Sequence, residues 1–343
     1  MNHFKTASNK SVTNMKKVPF IVLPVIALAM VLVSCKETTA GKDLPAISGK
    51  VGEIGIIASR PQWESEIGDA VREVLADEYP YIPQREPRYR LFNVPEENFN
   101  NIFRVHRNLM YVKIADTCTT AMKVQRDVWA SPQTMLVVTA PSKDEAARFI
   151  TDNGAKIQGV FESAERERVI VNAKAFPNTS LENTIASLFG GTPYLPSNYT
   201  MKKQSNDFLW ISYETTYTTQ GIFIYQFPYE GNWQLTPKYL IDKRDEIMKV
   251  QVPATREGSY MITNTTIVPG FEMKEFDGRE FAEIRTLWDT HNDFMGGPFI
   301  SDAFLSPDKS NVIVIEGFVY APKYDKRDYL RQVEALIYSW HWQ

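Results

Sequence analysis

Three groups of residues have the types and spacing to act on another molecule. The first is the stretch from Trp288 to Phe299, in which Gly296 and Gly297 precede Pro298. Adjacent glycines let a backbone approach something closely, and Asp289, His291, Asn292 and Asp293 supply polar groups beside them. A hairpin connection demanding positive φ would use the same residues. The second group is Phe223, Tyr225, Phe227 and Tyr229, whose period of two puts four rings on one strand face. Aromatic faces stack on sugars and flat peptide groups, and tyrosine adds a hydroxyl. A sheet face covered by a helix needs the same stripe. From these two groups the candidate ligand-binding residues are Trp288, Asp293, Gly296, Gly297, Tyr225 and Tyr229.

The third group is the carboxylates in or near strands, Glu214, Glu283, Asp302 and Glu316. Glu316 interrupts the apolar run Val312 to Phe318, so a buried strand must pair or otherwise satisfy it. Asp302 or Arg285 is the expected partner. A glycosidase-type acid pair would instead need two carboxyls about 5 to 9.5 Å apart.

Other chemistry finds little support. The chain has no G-x-S-x-G elbow, Walker loop, H-E-x-x-H, Rossmann glycine pattern or C-x-x-C. His106, His291 and His341 lie far apart without metal-ligand spacing, and no cofactor is called for. Cys118 lies in a polar turn, Asp116 to Thr120, with no neighbouring histidine, which reads as a structural or buried thiol.

The elements that must hold these residues follow from periodicity and punctuation. Glu53 to Ala58 is an apolar strand, and Trp63, Ile67, Ala70, Val71, Val74 and Leu75 recur at helical spacing after it. Strands are expected at Arg88 to Val94 and Val105 to Ile114, with a short helix from Pro95 to Ile102 between them. Val124 to Trp129 should pair with Thr134 to Ala140, and Ser142 caps the helix that follows. Asn153-Gly154 bends that helix, and Gly190-Gly191 ends the helix beginning near Leu181. Past the linker Thr192 to Ser197, strands at 207–214 and 221–227 lead to a helix opened by Thr236-Pro237. Several strands between Tyr260 and Tyr320 precede a last helix, with Leu330, Val333, Leu336 and Ile337 as its stripe.

The amino terminus reads as an export signal. Lys5, Lys10, Lys16 and Lys17 precede an apolar run from Val18 to Val33, and no acid occurs before Glu37. That run falls short of the roughly 20 residues a spanning helix needs. Leu32-Val33-Ser34-Cys35 resembles the lipobox read by lipoprotein signal peptidase. The resemblance implies diacylglyceryl transfer to the Cys35 sulfur and cleavage before it, and two or three acyl chains hold a protein firmly on a membrane. Lys36 stands where an inner-membrane retention signal would have Asp, which favours an outer-membrane address, and Glu37 alone is too little acid for surface display. The periplasmic face is therefore expected. Met15-Lys16-Lys17 is an alternative start.

Removing the four leader lysines from 38 basic residues leaves 34 against 41 acids, a net charge of −7 on the mature chain. That balance excludes nucleic acid and a polybasic membrane patch. With Cys35 lipidated, Cys118 has no disulfide partner.

The two halves share order and punctuation. Ile54 to Pro61 with Trp63 opens one, and Ile222 to Pro228 with Trp233 opens the other; Trp129-Ala130-Ser131-Pro132 has its counterpart in Phe304-Leu305-Ser306-Pro307. The expected architecture is α+β, with two related α/β-sandwich units, each a mostly antiparallel sheet with helices on one face. The expected segments are a signal peptide at 1–34, lipidated cysteine and tether at 35–50, and units at 51–191 and 192–343. A ligand would enter the groove between the units.

The lipobox, Ile54 to Ser59, the turn Met295 to Phe299 and the strand end Gly317 to Pro322 together resemble a family of uncharacterised lipoproteins of Bacteroidetes-type bacteria, a domain of unknown function. The resemblance implies a cell with two membranes and an outer-membrane lipoprotein, and brings no activity or catalytic residue with it. The leading expectation is a non-catalytic envelope lipoprotein binding a protein, peptide or glycan between its units. The alternatives are an envelope hydrolase using carboxylates such as Asp293, Asp302 or Glu316, and a structural subunit of an outer-membrane complex marked by exposed apolar surface.

Overall fold

The computed structural model describes residues 44–343, so the signal, Cys35 and most of the tether lie outside the described residues. The first half runs β1 (Glu53–Ile57), α1 (Arg60–Trp63), α2 (Glu66–Leu75), β2 (Arg90–Val94), α3 (Asn101–Arg104), β3 (Asn108–Ile114), β4 (Ala121–Arg126) and β5 (Thr134–Ala140). Three helices follow, α4 (Lys143–Asp152), α5 (Gly154–Ala175) and α6 (Thr179–Phe189). Next come β6 (Gly191–Thr192), β7 (Thr200–Gln204), β8 (Phe208–Glu214), β9 (Thr219–Pro228) and α7 (Pro237–Gln251). The chain closes with β10 (Tyr260–Thr263), β11 (Gly270–Phe276), β12 (Arg279–His291), β13 (Gly296–Leu305), β14 (Asn311–Tyr320), α8 (Arg327–Tyr338) and β15 (His341–Trp342).

Apolar strands joined by helical crossovers must lie parallel, because each helix returns the chain to the same end of the sheet. The first sheet obeys this, with order β2-β1-β3-β5-β4 and parallel ladders throughout except β4 on β5. Its core face is Ile54, Ile56, Met110, Val112, Leu136 and Val138 against α2, α4 and α5. Helix α2 buries Ile67, Ala70, Val71, Val74 and Leu75, and Ser65 Oγ accepts from the Ile67 N–H. Where α4 stops, the Asn153 amide donates to the Phe149 carbonyl and Gly154 opens α5.

The second sheet is joined mostly by hairpins and is antiparallel throughout, in the order β10-β12-β13-β14-β9-β8-β7, with β11 also on β12. Its alternation divides it into two apolar faces. Ile222, Ile224, Ile300, Ile313 and Ile315 pack on α6 and α8, while Phe223, Tyr225, Phe227, Phe299 and Val314 pack on α7.

The protein is α+β, and most of its ladders are antiparallel. Three features differ from the sequence reading. The first sheet is mainly parallel, so the resemblance between halves extends to element order and not to strand pairing. The second sheet carries helices on both faces. Helix α6, expected to close the first unit, buries Leu181, Ile185 and Phe189 on the second sheet, because its apolar stripe matches the isoleucine face. The expected tether is also partly pinned: Ser48 N donates to Val105 O at 2.8 Å, and Ser131 N to Pro45 O at 3.0 Å.

Helix α8 joins the halves. Glu86, 3 % exposed, accepts from the backbone of Lys326 (2.6 Å) and Arg327 (3.0 Å) at its start. Arg90 pairs with Asp328 at 2.8 Å, Arg166 with Glu334 at 3.5 Å, and the Arg331 guanidinium lies over the rings of Tyr79 and Tyr89. Behind α8, β15 pairs with β6 and closes the linker.

Candidate functional site

Glycines on two strands make room for rings from their neighbours. A side chain at Gly297 would come within 2.1 Å of the Val319 carbonyl and 3.1 Å of the Trp288 indole nitrogen. One at Gly221 would fall 2.0 Å from the Phe318 ring. Trp288 and Phe318 therefore lie over glycine backbone, 5.8 Å apart, and Phe318 stacks on Phe223 at 4.7 Å. The belt continues to Trp210 and floors a cleft of about 430 Å³ whose other walls include Val252, Met261 and Met295. The Trp210 Nε1 has no hydrogen-bond partner.

This cleft gathers Trp288 and its neighbourhood, and the other candidates scatter. Positive φ in the turn falls on Asn292 (58°), not on Gly296 or Gly297, which are small because of packing. A side chain at Gly296 would meet Asp289 Oδ1 and the Trp288 carbonyl, both at 2.9 Å. Asp293 is a local staple, accepting from the Phe294 N–H at 2.8 Å with Arg256 at 3.7 Å. Tyr225 is 2 % exposed within the core beneath α7, away from any open surface. Tyr229 sits beyond the other end of β9, with its hydroxyl on Asn232 at 2.5 Å.

The carboxylates are committed to structure. Glu316 is fully buried, and its partner is Arg244 of α7, which donates from Nε and Nη2 at 2.7 Å each. The expected partners Asp302 of β13 and Arg285 of β12 lie on the opposite face, where Arg285 reaches Glu334 of α8. Burial opposes the Arg244 charge, and Glu316 more than offsets that, raising the guanidinium pKa.

Glu283 belongs to a second buried network. Burial favours its neutral form, yet Arg285 and Lys274 overcome that and hold it at about 2. Arg285 Nε donates to it at 2.5 Å, Lys274 at 2.7 Å and the Tyr338 hydroxyl at 2.6 Å. Its cross-strand neighbour Asp302 is fully buried with neither oxygen hydrogen-bonded. Burial, reinforced by the Glu283 charge, pushes that acid well above the usual range. A depressed and a raised carboxyl side by side resemble an acid–base pair, but both are sealed from solvent.

A groove opens between the halves, where the sequence reading expected a ligand, but its lining residues are not the candidates that reading chose. Its inner part, about 260 Å³, lies between α5, α8 and the linker; its outer part, about 430 Å³, continues along the β8–β9 loop. Gln220 lines both parts. It continues the Ile224, Ile222 face of β9 and sits opposite Tyr213 of β8, where the apolar core stops. Gln220 is 3 % exposed, and its amide makes no side-chain hydrogen bond among the described residues but stays within reach of water. Tyr199, equally buried, likewise has an unpartnered hydroxyl beside the inner part. The sequence signal was a polar residue at the end of a buried period-two stripe. The charges of the inner part are mutually spent: Arg107 pairs with Glu165 at 2.6 Å, and Arg168 with Glu165 at 3.4 Å.

Among the described residues no His, Cys, Asp or Glu cluster could hold a metal, and no helix is long and apolar enough to cross a membrane. His106 is buried with Nδ1 on the Asn108 carbonyl, His341 stacks on Tyr194, and Cys118 is half-exposed.

The chain matches two families in succession. Residues 47–174 match a domain of unknown function (DUF8532), and residues 178–339 match another (DUF4837). The two meet at the end of α5. A crystal structure from Bacteroides thetaiotaomicron is similar at a TM-score of 0.27 and 7 % identity, over 45 % of this chain and 45 % of that one. No curated protein matches.

Proposed function

We propose that this protein is a lipid-anchored envelope protein that binds a protein, peptide or glycan in the groove between its two sheets, without chemistry on it. The supporting observation is Tyr199: a buried hydroxyl without a partner beside the inner part costs about 1–3 kcal/mol unless something in the groove meets it. The buried carboxylates are held in ion pairs or sealed away, which leaves recognition as the use of the exposed groove. The anchor rests on Cys35 and its lipobox, and the address on Lys36, giving the periplasmic face of an outer membrane.

Photo-crosslinking tests the reading in intact cells. A benzophenone residue at Gln332, in the groove, should capture an envelope molecule, and one at the exposed Trp233 should not. Capture at Trp233 with none at Gln332 would sink the groove. Cys35→Ser should move the chain from the membrane fraction to the soluble one; unchanged fractionation would remove the anchor.

A further inference from the structure

The lining of the groove indicates what it takes, given that it is the binding site. We infer that it recognises an uncharged oligosaccharide. Along the outer part the side chains are tyrosine, threonine and glutamine, and none of the residues lining it is a carboxylate, lysine or arginine. Tyr217 and Tyr324 are 45 % and 47 % exposed, with rings 6.4 Å apart edge to face. The hydroxyls of Tyr213, Tyr217, Tyr324 and Tyr329 have no hydrogen-bond partner among the described residues. Two lysines flank the outer part: Lys323 lies 4.1 Å over the Tyr217 ring, and Lys326 Nζ donates to the Tyr324 carbonyl at 3.2 Å.

The loop that presents Tyr217 is built to stay in place. Thr215 and Thr218 share a hydroxyl–hydroxyl bond of 2.7 Å, and Thr215 N donates to Thr218 O at 2.8 Å. Across the groove, Tyr329, Gln332 and Leu336 recur at three- and four-residue spacing on α8 and so share one face. Rings therefore stand on both walls, Tyr213 and Tyr217 on one and Tyr329 on the other, with an amide on each, Gln220 in β9 and Gln332 in α8.

This chemistry matches a neutral sugar chain better than a peptide or an acidic polymer. Each sugar hydroxyl both donates and accepts, as do threonine and tyrosine hydroxyls and the two ends of an amide. The C–H face of a pyranose is apolar enough to lie on tyrosine. An acidic polymer would require several unpaired cations; the outer lining has none, Lys323 stands alone over the Tyr217 ring, and the arginines of the inner part are already taken by Glu165. A peptide would need apolar hollows for its side chains, and the outer part has none beyond the rings. Gln220 gains most, since a sugar hydroxyl there can replace water at a buried amide.

The test is titration calorimetry of the full mature lipoprotein with neutral hexasaccharides (glucan, mannan and xylan series), oligogalacturonate and a random hexapeptide pool. A neutral series should bind with an affinity that hardly changes from low to high salt. Tyr217→Ala and Gln220→Met should each weaken it about tenfold, with thermal midpoints preserved. Should Gln220→Met unfold, the exposed Tyr217→Ala carries the test alone. Binding of only oligogalacturonate or peptide, lost in Tyr217→Ala, would overturn the sugar class and leave the groove as the site. Neutral binding unchanged by both variants, or no binding by any probe, would overturn the groove reading too.

Discussion

The indole nitrogen of Trp288 donates to the Val319 carbonyl at 3.2 Å, reaching across the strand between them over Gly297. The bond exists because Gly297 has no side chain. Gly297→Ala puts a carbon 2.1 Å from that same carbonyl, so β13 and β14 must separate or Trp288 must move. Overpacking of this kind costs about 1–3 kcal/mol or more. The expected outcome in urea denaturation is a lower midpoint, together with altered near-ultraviolet dichroism of Trp288; a native midpoint would contradict the packing role.

Arg244 and Glu316 make a second test. Removing one partner leaves an uncompensated buried charge, so Arg244→Met should cost about 3–5 kcal/mol. Adding Glu316→Leu to that variant should recover much of the loss. A double variant no better than the single one would mean that Arg244 acts through something other than its pair.

Neither partner choice was legible from the sequence alone. That Glu316 had to be paired followed from its apolar neighbours, and it is paired. Arg244 lies 72 residues away on a helix whose polar and apolar positions are mixed, so nothing local marked it. Tyr225 was legible as a stripe, and a stripe does not say which of two sheet faces a helix will cover. Strand and helix positions were read well because period and capping are local: Ser142, Gly190 and Thr236-Pro237 act within one turn. The parallel first sheet and the groove at Gln220 depend on contacts between distant segments, which a single sequence does not carry.

Asp302 and Glu283 should give opposite pH dependence. Glu283 is lowered to about 2, so its contribution is present above the usual carboxylate value and is lost as pH falls toward 2. Asp302 is raised, so its protonated form contributes fully at low pH, and that stability is lost as pH rises through its folded value. Asp302→Asn should leave acid stability nearly unchanged and flatten the loss toward alkaline pH. Urea midpoints measured across pH would show it, and parallel curves for both proteins would refute the assignment.

Glu86 caps α8 from the other half of the chain. Glu86→Ala leaves two backbone N–H groups and the start of a buried helix without an acceptor. The expected loss is about 1–3 kcal/mol, seen as one lowered transition in calorimetry. Two separate transitions would show that the halves melt independently, against the seam described here.

That seam also governs the order of assembly. The bond from Lys326 to Glu86 spans 240 residues of sequence, and α8 follows the other helices of the described residues. Until that helix is in place, the isoleucine face of the second sheet has only α6 against it and the two halves lack their seam. Closing so long a loop is slow compared with local helix formation.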